Sequence, residues 1–361
     1  MSGLPEIPFV DMRDGGPVRH AREVPARALM VRDACFGFFP PPLAGSIALL
    51  DTIARRWLER SQSPYVAEVE AVARNLGVAG VWFLNASYQW GCTALARDDG
   101  DAPWLVRTLD WPFPGLGRYA EVANVDGPAG AFLNVTWPGY VGTLSAMAPS
   151  RFAATVNQAP MFRRAMHPWL RLYDMTANAV GTYWRVRFMP PDHLLRLVFE
   201  TCRNFTAARE MLERTPVARP VIFTLAGAAA GERCVIERTE ETFDTRFDAT
   251  VAANDWHRPR PQWEGRIAAR HFFNLPFAGA AENSRLRSEA LTNWRGEPDA
   301  ADFPWLVPPV LNIYTRIAIV MRPGHGLLQV GGYEAPAPGL LPAPATAVRR
   351  LQLQAKTPPG A

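Results

Sequence analysis

One stretch of the chain reads as a β-hairpin that brings a cysteine next to two charged side chains. Residues 92–96 and 104–106 are short apolar runs, as expected of two strands. An Asp-Asp-Gly-Asp segment lies between them, and Asp and Gly supply the backbone freedom that a tight turn needs. Because the second strand folds back on the first, we expect Arg107 and Asp110 to return to the neighbourhood of Cys92.

A thiol beside a guanidinium and a carboxylate can form a nucleophile site. The cation lowers the thiol pKa, and the carboxylate can hold an amine or a water molecule. A structural alternative stays open, because a lone cysteine at a strand start is commonly a small buried hydrophobe. An Arg–Asp pair is likewise commonly a structural ion pair. The residues alone therefore indicate a candidate site without deciding between the two interpretations.

Two neighbouring motifs carry a resemblance to a known family. Cys92–Ala94 (Cys-Thr-Ala) followed by Val106–Trp111 (Val-Arg-Thr-Leu-Asp-Trp) resembles the start of the catalytic chain in the acid ceramidase and N-acylethanolamine acid amidase family. These are N-terminal-nucleophile (Ntn) hydrolases, related to choloylglycine hydrolase and penicillin V acylase. Their pattern is a Cys-Thr-Ser-like start and a later Arg-Asn-x-Asp, so Ala94 and Thr108 are departures from it. The resemblance implies an α+β fold, the four-layer αββα Ntn-hydrolase sandwich with a mainly helical N-terminal segment.

The resemblance also implies a division of the chain. In the family the chain is cut just before the cysteine, so Gly91 would carry the scissile bond and Cys92 would gain a free α-amine. Residues 1–91 would then form a helical N-terminal segment, and residues 92–335 the catalytic core. We expect residues 336–361, which are rich in Pro and Ala, to form a loose tail. The two fragments would stay associated after cleavage.

Within this interpretation three residues share the chemistry at the cut. Cys92 would be the nucleophile, Arg107 would favour its thiolate, and Asp110 would orient its α-amine. An α-amine has a reference pKa near 8, so it can accept the thiol proton. We therefore expect no metal and no cofactor.

Further candidate residues follow from looser matches. Asn254 matches a family asparagine whose amide stabilises the oxyanion, and its structural alternative is an Asx-turn. Arg287 matches a family arginine near the site, while Arg285 stays open. Tyr140 and Asn157 lie in segments that resemble the lining of the family's acyl pocket. Asn157 is equally well explained as a strand-end amide that caps backbone groups.

The function implied by the resemblance is hydrolysis of the amide C–N bond of a small N-acyl substrate, such as a fatty acid amide. An acyltransferase of the same fold and an uncleaved, non-enzymatic acyl-lipid-binding protein stay open as alternatives. A papain-like thiol hydrolase would need a catalytic histidine. His257 and His271 are the candidates, and neither lies in a recognisable signature.

Composition limits the partners. The net charge of +4 is too small to predict a nucleic-acid partner. No apolar run is long enough for a transmembrane helix, and the N-terminal residues lack the pattern of a signal peptide. Four widely spaced cysteines without a C-x-x-C motif favour reduced thiols, so we expect a cytoplasmic protein. The apolar loop Phe36–Phe39 could contact a membrane surface, although we favour packing on the core.

Overall fold

A computed structural model describes residues 3–37, 45–86, 91–98, 100–165, 167–265 and 279–353. Its helices and strands form a layered α+β structure. The helices are α1 Gly16–Glu23, α2 Pro25–Phe36, α3 Ile47–Arg60, α4 Val66–Leu76, α5 Val81–Ala86, α6 Arg171–Val180, α7 Pro191–Thr201, α8 Phe205–Arg214 and α9 Ala280–Asn293. A π-helical turn, Gly181–Arg185, continues α6.

The strands are short and mostly antiparallel. They are β1 Phe9–Asp11, β2 Gly91–Asp98, β3 Pro103–Asp110, β4 Glu121–Val125, β5 Phe132–Thr136, β6 Ser145–Ala148, β7 Phe152–Gln158, β8 Met161–Phe162, β9 Val221–Gly227, β10 Arg233–Arg238, β11 Phe243–Arg246, β12 Val251–Ala252, β13 Trp263–Glu264, β14 Thr315–Arg322, β15 Leu327–Glu334, β16 Ala343–Pro344 and β17 Arg349–Gln352. The first sheet has the order β1-β4-β5-β6-β7-β9-β10-β11. The second has the order β12-β2-β3-β14-β15-β16, with β17 also paired to β15. The predicted hairpin is therefore β2–β3, in the second sheet.

The two sheets stack face to face through buried polar contacts as well as apolar ones. Arg107 on β3 donates to the carbonyl of Leu144, which immediately precedes β6 of the first sheet, at 2.7 Å. Asn157 on β7 donates to the carbonyls of Ala252 and Ala253, at the end of β12, at 3.1 and 3.2 Å. These bonds cross the inter-sheet space, and those of Asn157 hold the C-terminal end of β7 against the second sheet.

Helices cover the outer face of each sheet. On the first sheet, Phe199 of α7 stacks on Phe132 and Phe152, with ring centroids 5.3 and 4.7 Å apart. On the second sheet, Leu291 of α9 packs in a buried cluster with Leu95, Val106 and other apolar side chains of that sheet. The order helix, sheet, sheet, helix is the predicted four-layer αββα sandwich.

Both ends of the chain add strands to this sandwich. β1 pairs in parallel with β4, so the N-terminal segment contributes an edge strand in addition to its helices. At the other end, Leu351 of β17 lies opposite Leu328 of β15. The prediction of a loose tail is therefore wrong for residues 349–352, because β15 offers an edge whose N–H and C=O groups this segment satisfies. Residues 354–361 lie outside the described part.

The structure describes only part of the loop Phe36–Phe39, for which membrane contact was the alternative to core packing. Phe36 is buried at the end of α2, in agreement with packing on the core, whereas Phe38 and Phe39 lie outside the described residues. None of the helices that the structure describes combines the length and the apolar character of a membrane span.

Candidate active site

The thiol of Cys92 lies in the inter-sheet space and touches a guanidinium. Cys92 is fully buried, and Nη2 of Arg107 donates to its Sγ at 2.8 Å. Cys92 pairs with Leu109 on β3, and Arg107 lies two residues before Leu109. Side chains alternate along a strand, so Arg107 and Cys92 share one face of the hairpin. Burial raises the pKa of the Cys92 thiol, and the charge and hydrogen bond of Arg107 act against that rise.

Oxygen atoms of the first sheet fix the Arg107 guanidinium. Nη1 donates to the Leu144 carbonyl and to the Ser145 hydroxyl, and Nη2 donates to the Val156 carbonyl at 3.0 Å. Nothing in the local sequence of Ser145 signals this contact, because it depends on how the two sheets stack. The cation is therefore held in place from one sheet and directed at a thiol on the other.

Asp110 lies on the opposite face of the hairpin, next to helix α9. Its Oδ1 accepts a hydrogen bond from Thr315 Oγ1 at 2.9 Å, and its Oδ2 accepts one from Thr108 Oγ1 at 3.4 Å. Nη1 of Arg287 reaches Oδ2 at 3.5 Å. The buried carboxylate is thus shared between strand hydroxyls and a cation from α9.

Arg287, rather than Arg285, is the arginine that reaches the site. It is 1% exposed, and burial lowers its pKa. Besides Asp110, its donors bind four oxygen atoms: Cys92 O at 2.8 Å, Thr93 Oγ1 at 2.7 Å, Asn254 Oδ1 at 3.0 Å and Asn283 Oδ1 at 3.0 Å. Arg285 instead projects into solvent and pairs with glutamates of its own helix.

Asn254 contacts the backbone of the candidate nucleophile. The Cys92 nitrogen donates to its Oδ1 at 3.0 Å, and its Nδ2 donates to the Gln158 carbonyl at 2.9 Å. The Asn254 amide, rather than the carboxylate of Asp110, therefore lies on the nitrogen that cleavage would convert into an amine. This differs from the expectation that Asp110 orients the amine, because strand alternation turns Asp110 to the other face.

The two candidate substrate-binding residues lie in different places. Asn157 is buried beside Asn254, and its Nδ2 is used by the carbonyls of β12. Tyr140 donates to Asp192 Oδ2 at 2.6 Å and lines a separate, mostly apolar cavity of about 50 Å³ with Trp111, Phe113 and Trp137.

A larger cleft of about 710 Å³ opens beside the cluster. Gln158, whose carbonyl accepts a hydrogen bond from the Asn254 amide, is one of the residues that line it. Two residues earlier on β7, the Val156 carbonyl lies 3.5 Å from Cys92 Sγ. Helix α6 and the π-helical turn form much of its wall. Val156, which contacts the thiol, and Gln158, which lines the cleft, are thus two residues apart on β7. The thiol therefore lies near a space large enough for a small-molecule ligand.

Two further expectations concern the candidate catalytic histidines and the absence of a metal site. His257 is exposed beside Asp248 and Arg258, and its backbone nitrogen donates to Glu237. His271 lies outside the described residues. Within the described ranges, no group of three His, Cys, Asp or Glu side chains is arranged to hold a metal ion.

Several curated proteins are similar to this chain. An N-acylethanolamine-hydrolyzing acid amidase of Oryctolagus cuniculus is 25% identical over 202 residues, which are 54% of this chain and 53% of that protein. A probable acid ceramidase of Caenorhabditis elegans is 25% identical over 215 residues, which are 54% of this chain and 52% of that protein. An acid ceramidase of Heterocephalus glaber is 30% identical over 127 residues, covering 35% of this chain and 30% of that protein. The chain thus spans about half the length of the first two relatives and a smaller share of the last.

Solved structures with some likeness carry related names. A Caenorhabditis elegans N-acylethanolamine-hydrolyzing acid amidase ortholog is 17% identical, with a TM-score of 0.48 over 64% of this chain and 93% of that one. A mutant of a conjugated bile acid hydrolase from Clostridium perfringens is 12% identical, with a TM-score of 0.38 over 73% of this chain and 92% of that one. No protein-family model matches the chain. The sequence matches confirm the resemblance to the acid ceramidase and N-acylethanolamine acid amidase family that the motif at Cys92–Asp110 predicts.

Proposed function

We propose that this chain is a cysteine amidohydrolase that cleaves the amide C–N bond of small N-acyl substrates such as fatty acid amides. The observation that carries the proposal is the 2.8 Å hydrogen bond from Arg107 Nη2 to the Cys92 thiol. The backbone nitrogen of the same cysteine donates a hydrogen bond to Asn254. A thioester mechanism needs a positioned thiol as the nucleophile, a cation that favours its thiolate and an amide that can stabilise the oxyanion. The names of the similar curated proteins support the same reaction class.

The first proposed step is self-cleavage at Gly91–Cys92. The Cys92 thiol adds to the Gly91 carbonyl, and the C–N bond breaks as the Cys92 nitrogen takes up a proton. Water then hydrolyses the Gly91 thioester. One fragment ends in the Gly91 carboxylate, and the other begins with the α-amine and free thiol of Cys92. The 3.0 Å bond from the Cys92 nitrogen to Asn254 Oδ1 supports this step, since it holds the scissile amide in one orientation.

Turnover then uses the groups that cleavage creates. The α-amine, with a reference pKa near 8, takes the thiol proton while the sulfur attacks the substrate carbonyl. The oxyanion is stabilised by the Asn254 amide and backbone N–H groups, and the proton passes to the departing amine. Water releases the acid from the thioester and restores the thiol. Arg107 contributes by lowering the pKa of the Cys92 thiol, which burial raises.

We propose that the two fragments stay associated as one complex after cleavage. Partly buried pairs join the N-terminal segment to α7: Arg196 donates to both oxygens of Glu68 at 2.8 and 3.0 Å, and the Tyr65 hydroxyl donates to Glu200 at 2.5 Å. The Arg196 guanidinium also lies 4.1 Å from the Tyr65 ring centroid. None of these contacts depends on the Gly91–Cys92 bond. Both fragments should therefore co-elute in native size-exclusion chromatography and separate only in denaturant.

We also propose that the wall of the cleft contacts a lipid surface. Helix α6 has an inverted pattern, because it buries Arg171 and Asp174 and turns apolar side chains to solvent. The exposed apolar side chains are Trp169 (85% exposed), Leu172 (63%), Tyr173, Val180 and Trp184. Patches of this kind at a cleft mouth are typical of interaction sites. Co-sedimentation with phosphatidylcholine/phosphatidylglycerol vesicles should be reduced by Leu172→Ser and unchanged by Phe243→Ser, whose side chain is exposed elsewhere.

Intact mass under denaturing conditions, paired with hydrolysis of N-acyl ethanolamides, tests the proposed function. Wild type should give two masses, 1–91 and 92–361, and Cys92→Ala should give one. Cys234→Ala is the matched control, because Cys234 is equally buried but lies on β10. A single full-length mass for an active wild type would contradict maturation by cleavage. Acyl transfer to added amine without release of acid would favour the acyltransferase alternative, and no turnover by folded protein would contradict the amidase.

A further inference from the structure

A rare backbone turn forms part of the cleft wall. Helix α6 continues into the π-helical turn Gly181–Arg185, where the Val186 nitrogen donates to the Gly181 carbonyl at 3.2 Å, five residues back along the chain. π-helical turns are uncommon in proteins and occur frequently at functional sites. The first four residues of this turn line the cleft of about 710 Å³. The shape of this wall therefore depends on the contacts that hold the turn in place.

The N-terminal segment holds this turn from outside the catalytic core. The ring centroids of Trp57, on α3, and Tyr183 lie 5.4 Å apart in an edge-to-face arrangement. At the end of the same helix, Arg60 Nη2 donates to the Tyr183 carbonyl at 2.7 Å. Just beyond the helix, the Gln62 nitrogen donates to the Arg187 carbonyl at 3.0 Å. The N-terminal segment therefore contacts both a side chain and the backbone of this part of the wall.

Trp57 also supports a second part of the wall, which lies elsewhere in the chain. Arg219, two residues before β9, lines the cleft, and its guanidinium lies 5.4 Å from the Trp57 ring centroid and 5.1 Å from that of Tyr183. Ring pairs and cation–π contacts both depend on ring geometry, so the fully buried Trp57 ring orients both side chains. Trp57 is absent from the described residues that line the cleft. It therefore acts on the cleft through Tyr183 and Arg219.

We infer, on the basis of the proposed amidase function, that Trp57 is a positioning residue for the substrate. Its ring holds Tyr183 and Arg219 in the wall that contacts the bound substrate. Because Trp57 belongs to residues 1–91, this fragment remains part of the substrate-binding site after cleavage. The N-terminal fragment therefore contributes to turnover as well as to the fold.

The effect of Trp57 should appear in substrate binding and not in the chemical steps. Cys92 is held by Arg107 and Asn254, which belong to the catalytic core and serve self-cleavage as well as turnover. A distorted wall instead weakens contacts that the substrate makes equally in the ground state and in the transition state. Such a change raises KM and leaves kcat unchanged. Self-cleavage uses no external substrate, so its rate should be unchanged too.

The test measures KM and kcat for N-dodecanoylethanolamine, together with the rate of self-cleavage, in the full-length protein. Trp57→Leu should raise KM about 10-fold, the size expected for one ring pair and one cation–π contact, while kcat and self-cleavage stay within about 2-fold of wild type. Trp57→Phe keeps an aromatic ring and should restore most of the binding. Arg60→Met removes an exposed donor to the turn and should also raise KM, which keeps the test valid if Trp57→Leu does not fold.

Two controls separate positioning from general stability. Trp305 is almost as buried as Trp57 but packs in the cluster that contains Leu291 of α9, so Trp305→Leu should lower Tm and leave KM unchanged. Arg56 is exposed on α3, as Arg60 is, and Arg56→Met should leave KM unchanged.

The contrary outcomes are distinct from a failure of the proposed function. An unchanged KM in both Trp57→Leu and Arg60→Met would overturn the inference and leave the amidase intact. A parallel loss of kcat and self-cleavage in Trp57→Leu would show a purely structural role and would also overturn it. No hydrolysis by folded, cleaved wild type would count against the proposed function. The Kd of N-dodecanoylethanolamine for Cys92→Ala protein then gives the same comparison: a Kd raised about 10-fold by Trp57→Leu supports the inference, and an equal Kd or no binding overturns it.

Discussion

Replacing Arg287 by methionine should destabilise the fold far more than the same change at Arg285, although both arginines lie on α9. Arg287 donates to four oxygens in the site and lies 3.5 Å from the buried Asp110 carboxylate. Arg287→Met removes the cation that faces Asp110 and takes one hydrogen-bond donor away from each of these acceptors. Arg285 only pairs with exposed glutamates on its own helix.

The expected size of the effect follows from the burial of the pair. Removing one partner of a buried ion pair costs about 3–5 kcal/mol, because the remaining charge is left uncompensated. With an unfolding entropy of about 2.1 cal/mol/K per residue, a chain of 361 residues gives about 0.76 kcal/mol/K. Arg287→Met should therefore lower Tm by about 4–7 °C. Arg285→Met should leave Tm within about 1 °C of the parent, since solvent screens exposed pairs.

Differential scanning calorimetry in the Cys92→Ala background measures both variants as uncut chains. The alanine keeps the carbonyl of residue 92, so the 2.8 Å bond from Arg287 is preserved. Equal Tm values for the two variants, or a larger loss in Arg285→Met, would refute the reasoning. That result would mean that Arg287 does not neutralise Asp110 in the folded protein.

Three further predictions concern the chemistry. Asn254→Ala in cleaved protein should lower kcat by about 10²–10³-fold with little change in KM. The assay uses a fluorogenic N-acyl amide, after the active sites have been counted with a thiol-directed probe. A wild-type kcat would mean that Asn254 is only a turn residue. Asp110→Asn should fold and lose activity by about 10²-fold or more, because Asp110 faces the Arg287 guanidinium that binds the Cys92 carbonyl and Asn254. Unfolding with full activity in the remaining folded fraction would indicate a structural pair. Arg107→Gln should raise the pKa of the Cys92 thiol further, because Arg107 opposes the effect of burial. The pH profile of iodoacetamide labelling should therefore move to higher pH, with slower labelling at a given pH, and an unmoved profile would show that Arg107 does not act on the thiolate.

Local pattern was enough to predict the part of the site that lies within one hairpin. Apolar runs on either side of an Asp/Gly turn predict β2 and β3, and the Cys, Arg and Asp positions come with them. Strand alternation would also have separated Asp110 from the thiol face, once the register was known. The register itself depends on where the turn closes, and a shift of one residue would have moved Arg107 to the other face.

The sequence by itself determined the hairpin, the family resemblance and the candidate nucleophile, because these depend on neighbouring residues and period-two alternation. Only the tertiary structure decided between Arg285 and Arg287, put Asn254 on the Cys92 nitrogen and revealed Ser145 and Thr315 as partners of Arg107 and Asp110. It also placed Gln158 and Arg219 in one cleft. These contacts join strands and helices far apart in the chain, and they form only when two sheets and an outer helix pack together. Their geometry depends on that packing, which local propensity does not encode.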